Sequence, residues 1–133
     1  MSTSSSTSII GDSFVELSVP ADTRHLRLAR LAASGYGADL GFSLDDIEEL
    51  RLAVGEACAL LVDHAPADAR LILRYGADGP CLIIEGRCAA LDGAAVEVDP
   101  VASAVMTNTV DTFDVDHLAN ENTFRITKRA PSR

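Results

Sequence analysis

Residues 43–65, SLDDIEELRLAVGEACALLVDHA, decide how the rest of the chain is read. Ser43 is a good N-cap, and Asp46, three residues on, stands in a capping-box-like position. Asp45, Asp46, Glu48 and Glu49 crowd the first turns, where the positive end of the helix dipole favours carboxylates. Ile47, Leu50, Val54, Ala57, Cys58, Leu61 and Ala65 recur at helical spacing and make a broad apolar face, and Pro66 stops the run. Gly55 costs about 1 kcal/mol in mid-helix relative to alanine, so packing has to compensate. Glu56 sits beside the apolar face, one turn before Leu60. It reads either as a half-buried or solvated glutamate or as a carboxylate placed to take a proton from a hydroxyl. Periodicity does not choose between the two.

The chain has 133 residues, of which 47% are apolar, which fits one domain with a substantial core. No stretch is long enough to cross a membrane as a helix. The opening MSTSSSTS lacks the basic and apolar regions of a signal peptide, so residues 1–11 are expected to be a disordered tail. A net charge of −9 argues against nucleic acid, because nothing would replace the counterions around phosphates. Cys58, Cys81 and Cys88 lie in apolar runs without metal-ligand spacing. They are expected to be buried, reduced thiols in a cytoplasmic protein, with Cys88, near a strand end, the most accessible of the three. No metal set is expected from them.

Outward from the central helix, FVELSV at 14–19 alternates and reads as a strand. Asp22 can cap a helix running to about Leu40, with Leu26, Ala29, Ala33, Tyr36 and Leu40 inward and Gly35 and Gly37 weakening its end. Arg24, Arg27 and Arg30 follow one flank of that helix, either as a solvated face or as a docking surface for an acidic partner. ARLILRY at 69–75 and CLIIE at 81–85 are two strands joined through GADGP, a hairpin signal. Residues 86–100 show little pattern and read as a connecting loop. VASAVMTNTV at 101–110 reads as a short helix with Asp99 as cap and Pro100 at its first position. TFDVD at 112–116 and TFRITK at 123–128 alternate as a last hairpin around HLANEN, and residues 130–133 read as a frayed tail. The order β-α-α-β-β-α-β-β predicts an α+β two-layer sandwich, with a mostly antiparallel sheet and the helices on one face.

LRLAVGEACALLVDHA at 50–65, preceded by VPADTRHLRLARLAA at 19–33, resembles the RsbW-type anti-sigma factors, which carry a serine-protein kinase domain. Their fold is shared with gyrase B, Hsp90, histidine kinases and MutL, and the resemblance spans residues 12–129. It implies that Glu56 is a general base acting on a serine of an antagonist protein. The same family places a magnesium-binding asparagine four residues later, where this chain has Leu60, which offers a hard cation no oxygen. An Asp-x-Gly-x-Gly that holds adenine corresponds to Gly86, Cys88 and Ala90. A phosphate-cradling Gly-x-Gly corresponds to Pro100 and Ala102, and proline has no amide to donate. With those elements lost, ATP and magnesium are not expected as cofactors, and phosphoryl transfer would lack its positioned nucleotide. The expectation is a regulator that binds a sigma factor and a STAS-domain anti-anti-sigma protein, with Arg30, Arg27 and Arg24 at the interface and a homodimer as the resemblance implies. The alternatives are an active kinase with a rearranged pocket, a degenerate cleft that binds another small ligand, and a scaffold for some other partner.

Overall fold

A computed structural model describes residues 13–131, so the expected tail at 1–11 lies outside the described residues. The elements are β1 (Val15–Pro20), α1 (Leu26–Asp39), α2 (Leu44–Val62), β2 (Arg70–Asp78), β3 (Cys81–Ala89), α3 (Pro100–Thr109), β4 (Thr112–Leu118) and β5 (Glu121–Arg129). The strands form one antiparallel sheet in the order β1-β2-β3-β5-β4. The predicted order and the α+β two-layer class are those observed.

Alternation along the strands builds the two faces of the sheet. Leu71, Leu73, Tyr75, Leu82, Ile84, Phe124 and Ile126 point inward and share one core with Leu26, Ala29, Ala33, Leu50, Ala53, Val54, Ala57, Cys58 and Leu61 of the helices. The opposite face carries charge, with Arg74 bonded to Glu16 at 3.1 Å and Arg125 to Glu85 at 2.9 Å across neighbouring strands. An ion-paired outer face leaves the core side as the one that seats the helices. The Tyr75 hydroxyl lies in that core and donates to the Ala29 carbonyl of α1 at 2.9 Å, which ties the first helix to the sheet. Burial pushes the Tyr75 phenol well above its ordinary pKa, so the hydroxyl stays a donor at any working pH.

Several boundaries differ from the sequence expectation, each for a local reason. Helix α2 starts as read, with the Ser43 hydroxyl accepting from the Asp46 amide at 3.1 Å. It ends at Val62 and not at Ala65, because His64 and Ala65 donate to Leu61 and Val62 in a tightened last turn. Asp22 caps a single 3₁₀ turn, Thr23–His25, and the α-helix proper begins only at Leu26. Strand β3 continues four residues past Glu85 into GRCA, a stretch without strand alternation, and a short 3₁₀ turn (Leu91–Gly93) follows. The hairpin turns are two residues long. Gly79 takes φ +58° at the first turn, and Ala119 and Asn120 take φ +55° and +64° at the second. Ala130, expected to be frayed, is buried, and its amide donates to the Pro80 carbonyl at 2.7 Å.

Among the described residues no helix is long and apolar enough to cross a membrane. Cys58 and Cys88 are buried as expected, but the expectation that Cys88 is the most accessible thiol is corrected. Cys88 is 1% exposed because β3 extends through it and turns it to the core, while Cys81 is the partly exposed thiol.

Candidate functional site

Glu56 and Arg30 come together in one groove of about 520 Å³ between α1 and α2, along with Leu26, Arg51, Leu52 and Gly55. Gly55 explains its own presence in mid-helix. A side chain there would begin 3.4 Å from the Arg30 guanidinium, so the bare backbone lets Arg30 lie across α2. Arg30 and Glu56 are both half-buried, and neither forms an ion pair among the described residues. Arg51 pairs with Glu48 at 3.8 Å on the rim. The other two arginines of the flank stand outside this groove. Arg24 pairs with Asp22 at 3.0 Å, and its backbone amide first and its guanidinium second hold that carboxyl below its usual range, while Arg27 is exposed on α1.

Of the positions that the resemblance links to a nucleotide, Gly86, Cys88, Ala90 and Ala102 face the interior of the chain. Gly86 pairs with Phe124 across β3 and β5, and a Cβ on Gly86 would lie 2.3 Å from the Phe124 ring. The aromatic ring therefore occupies the space that any side chain at position 86 would need. Cys88, Ala90 and Ala102 are buried as well, and Leu60 is half-buried. At the start of α3, the Ala102 amide donates to the Asp99 carboxylate at 2.8 Å, so the amide that would face a phosphate is bonded to an anion of the chain itself. Pro100 supplies none.

The segment between β3 and α3 is pinned at several points. Leu91 donates to the His64 carbonyl and Ala90 to the Asn120 carbonyl, each at 2.8 Å. Asn122, 1% exposed, accepts from the Val96 amide at 3.2 Å and donates to the Ala94 carbonyl at 3.1 Å. Its oxygen also lies 2.8 Å from His117 Nδ1, which places the proton of that contact on the imidazole. Sequence reasoning missed Asn122 and Phe124, although the spacing Asn122, Phe124, Ile126, Lys128 puts both on the inward face of β5. An inward asparagine in an alternating strand is the signal that was available. Lys128, the other inward polar residue, reaches Glu49 at 3.1 Å and the Thr109 carbonyl, joining β5 to the ends of α2 and α3.

A second groove, of about 480 Å³, runs between α2 and α3 and is lined by Leu52, Pro100, Val101, Ala104, Val105 and Asn108. It opens on the outer surface and is not formed by Gly86, Cys88, Ala90 or Ala102. Among the described residues no group of His, Cys, Asp and Glu could hold a metal ion.

Residues 19–99 match the family model of the histidine kinase-like ATPase domain. The chain belongs to this family. The sequence is similar to the serine-protein kinase RsbW of Bacillus velezensis, 40% identical over 66 residues, a stretch that is 47% of this chain and 41% of that protein. It is also similar to RsbW of Halalkalibacterium halodurans, 45% identical over 51 residues, 38% of this chain and 32% of the relative. The matched region thus spans less than half of each of these relatives. The crystal structure of the RsbU and RsbW domains of a Mycobacterium tuberculosis protein superposes with a TM-score of 0.69, covering 91% of this chain and 34% of that one at 16% identity. That likeness is one of fold. The RsbW resemblance read from residues 50–65 is met by the sequence relatives, and the fold it implies by the structural likeness.

Proposed function

We propose that this protein is an anti-sigma factor-like regulator that works by binding other proteins, without ATP. It sequesters a sigma factor and gives it up when a STAS-domain anti-anti-sigma protein competes for the same surface, in the cytoplasm. The observation that carries this reading is the closure of the nucleotide positions by the chain itself. Phe124 fills the space at Gly86, Asp99 takes the Ala102 amide, and Leu60 presents no oxygen for magnesium. The residues present do not fit a magnesium nucleotide, so phosphoryl transfer forms no part of the mechanism. Glu56, kept from the family pattern, then serves as a polar contact in the groove with Arg30.

Arg30 supports a binding role because a half-buried guanidinium without an ion pair is a strong docking point for a partner carboxylate. The test is titration of the purified protein with the sigma factors and STAS-domain proteins of the same genome, each with and without magnesium ATP. The expected result is one sigma factor and one STAS protein that compete, with affinities unchanged by ATP. Arg30→Glu should weaken binding by about 2 kcal/mol, as for a hot-spot arginine. Phosphorylation of a STAS serine that vanishes in Glu56→Ala would overturn the reading in favour of the kinase.

A further inference from the structure

We infer that the partner surface does not stop at Arg30 but continues across Leu52 onto α3, and that it receives an amphipathic helix of a protein partner carrying an apolar stripe and a carboxylate. This rests on the protein-binding reading above and adds the chemistry and place of the contact. Leu52 lines both grooves, so the α1–α2 and α2–α3 depressions are parts of one surface that meet at a single side chain. Leu52 is 53% exposed and Val101, on the far wall, is 71% exposed.

Helix α3, PVASAVMTNT, carries no charged residue, although the chain has 11 basic and 20 acidic residues. A surface helix in so charged a protein is normally kept soluble by charge on its outer face. Here the exposed residues are uncharged, with Ser103, Thr107 and Asn108 among them, and Pro100, Val101, Ala104 and part of Val105 give the groove its apolar wall. The trough between two helices suits a third helix laid along it, with apolar anchors at turn spacing.

Charge decides what the segment carries. The charged residues lining the two grooves are Arg30, Arg51, Glu48 and Glu56, which sum to zero, whereas the whole chain is −9. Arg51 and Glu48 satisfy each other, which leaves Arg30 beside Glu56 without an ion pair to it. Most of the protein would repel an acidic segment, and this strip does not. A carboxylate at one end of the helix meets Arg30, and the apolar stripe covers Leu52, Val101, Ala104 and Val105.

The experiment compares four proteins, wild type, Arg30→Glu, Leu52→Asp and Val101→Asp, in calorimetric titrations against the sigma factors and STAS-domain proteins of the same genome. Leu52 and Val101 are solvent-facing, and matching circular dichroism and melting curves establish that each variant is folded. The expected result is a dissociation constant at least tenfold higher in Leu52→Asp and in Val101→Asp, as in Arg30→Glu. Wild-type affinity in both of those variants with loss in Arg30→Glu would overturn the extension onto α3 and leave the protein-binding reading standing. Failure of every probe to bind the wild type would remove both.

Discussion

Replacing Gly86 by alanine tests the closed nucleotide position directly. The added Cβ would lie 2.3, 2.6 and 3.0 Å from Cε2, Cζ and Cδ2 of Phe124. Carbon atoms in contact normally sit about 3.5–4.0 Å apart, so three overlaps of roughly 0.5–1.5 Å must be relieved at once. Phe124 is 3% exposed and belongs to the core shared with α2, so its ring has no open side to move into. Overpacking of this kind costs about 1–3 kcal/mol, and the upper end applies because the ring itself has to leave its place. For a domain of this length about 3 kcal/mol corresponds to a fall in melting temperature of roughly 10 °C. The assay is urea and thermal unfolding of Gly86→Ala in the wild-type and Phe124→Leu backgrounds. Leucine lacks the outer ring atoms, so Gly86→Ala should cost at least about 1 kcal/mol less there, a coupling expected of touching residues. Equal costs in both backgrounds, or a cost below about 0.5 kcal/mol in the wild type, would refute the placement of the ring over Gly86. Gly86→Asp, which brings back the family's adenine-binding side chain, should be worse than alanine and should gain no nucleotide affinity.

Asn122→Ala removes the hydrogen bonds to Ala94 and Val96 and leaves the buried Val96 amide unpaired, at a cost of about 1–3 kcal/mol. Hydrogen exchange should accelerate first in residues 94–98, and unchanged protection there would count against that pinning. Tyr75→Phe deletes the bond to the Ala29 carbonyl and should cost about 1 kcal/mol in urea unfolding, with no loss meaning that α1 is held without it. Thiol modification at pH 8 should reach Cys81 first and Cys58 and Cys88 only on unfolding, and early labelling of Cys58 would contradict its burial. Burial pushes the Cys58 thiol up from 9.0 to about 12. Its folded form therefore keeps a proton that the unfolded form releases above pH 9, so stability is intact below pH 9 and declines as pH rises towards 12. A Cys58→Ala variant should show a shallower decline over that window.

The elements were legible where pattern and punctuation agreed. The Ser43 cap, the apolar stripe of α2, the Asp99–Pro100 start of α3 and the alternation in β2, β4 and β5 all carry their own physical signal. The second half of β3 was not legible, because Gly86 is a poor strand former whose placement makes sense only beside Phe124, a residue 38 positions away in the chain. Cys88 was misjudged for the same reason, since its exposure depended on where that strand ended. At the site, the flank of three arginines was visible but not their separate fates. Asp22 takes Arg24, solvent takes Arg27, and Gly55 receives Arg30. Gly55 appeared in the sequence only as a cost. Its use becomes clear once α1 is packed on α2. The α2–α3 groove left no local trace beyond the absence of charge in residues 100–110.

The central claim is that this chain regulates by binding and has given up the nucleotide. Isothermal titration of the wild-type protein with ATP and with ADP, each with magnesium, tests it most directly. The predicted result is no binding heat and no shift in melting temperature at millimolar nucleotide. Binding in the micromolar range would contradict the claim, because a nucleotide would then be held despite Phe124 over Gly86, Asp99 on the Ala102 amide and Leu60 in place of a metal ligand.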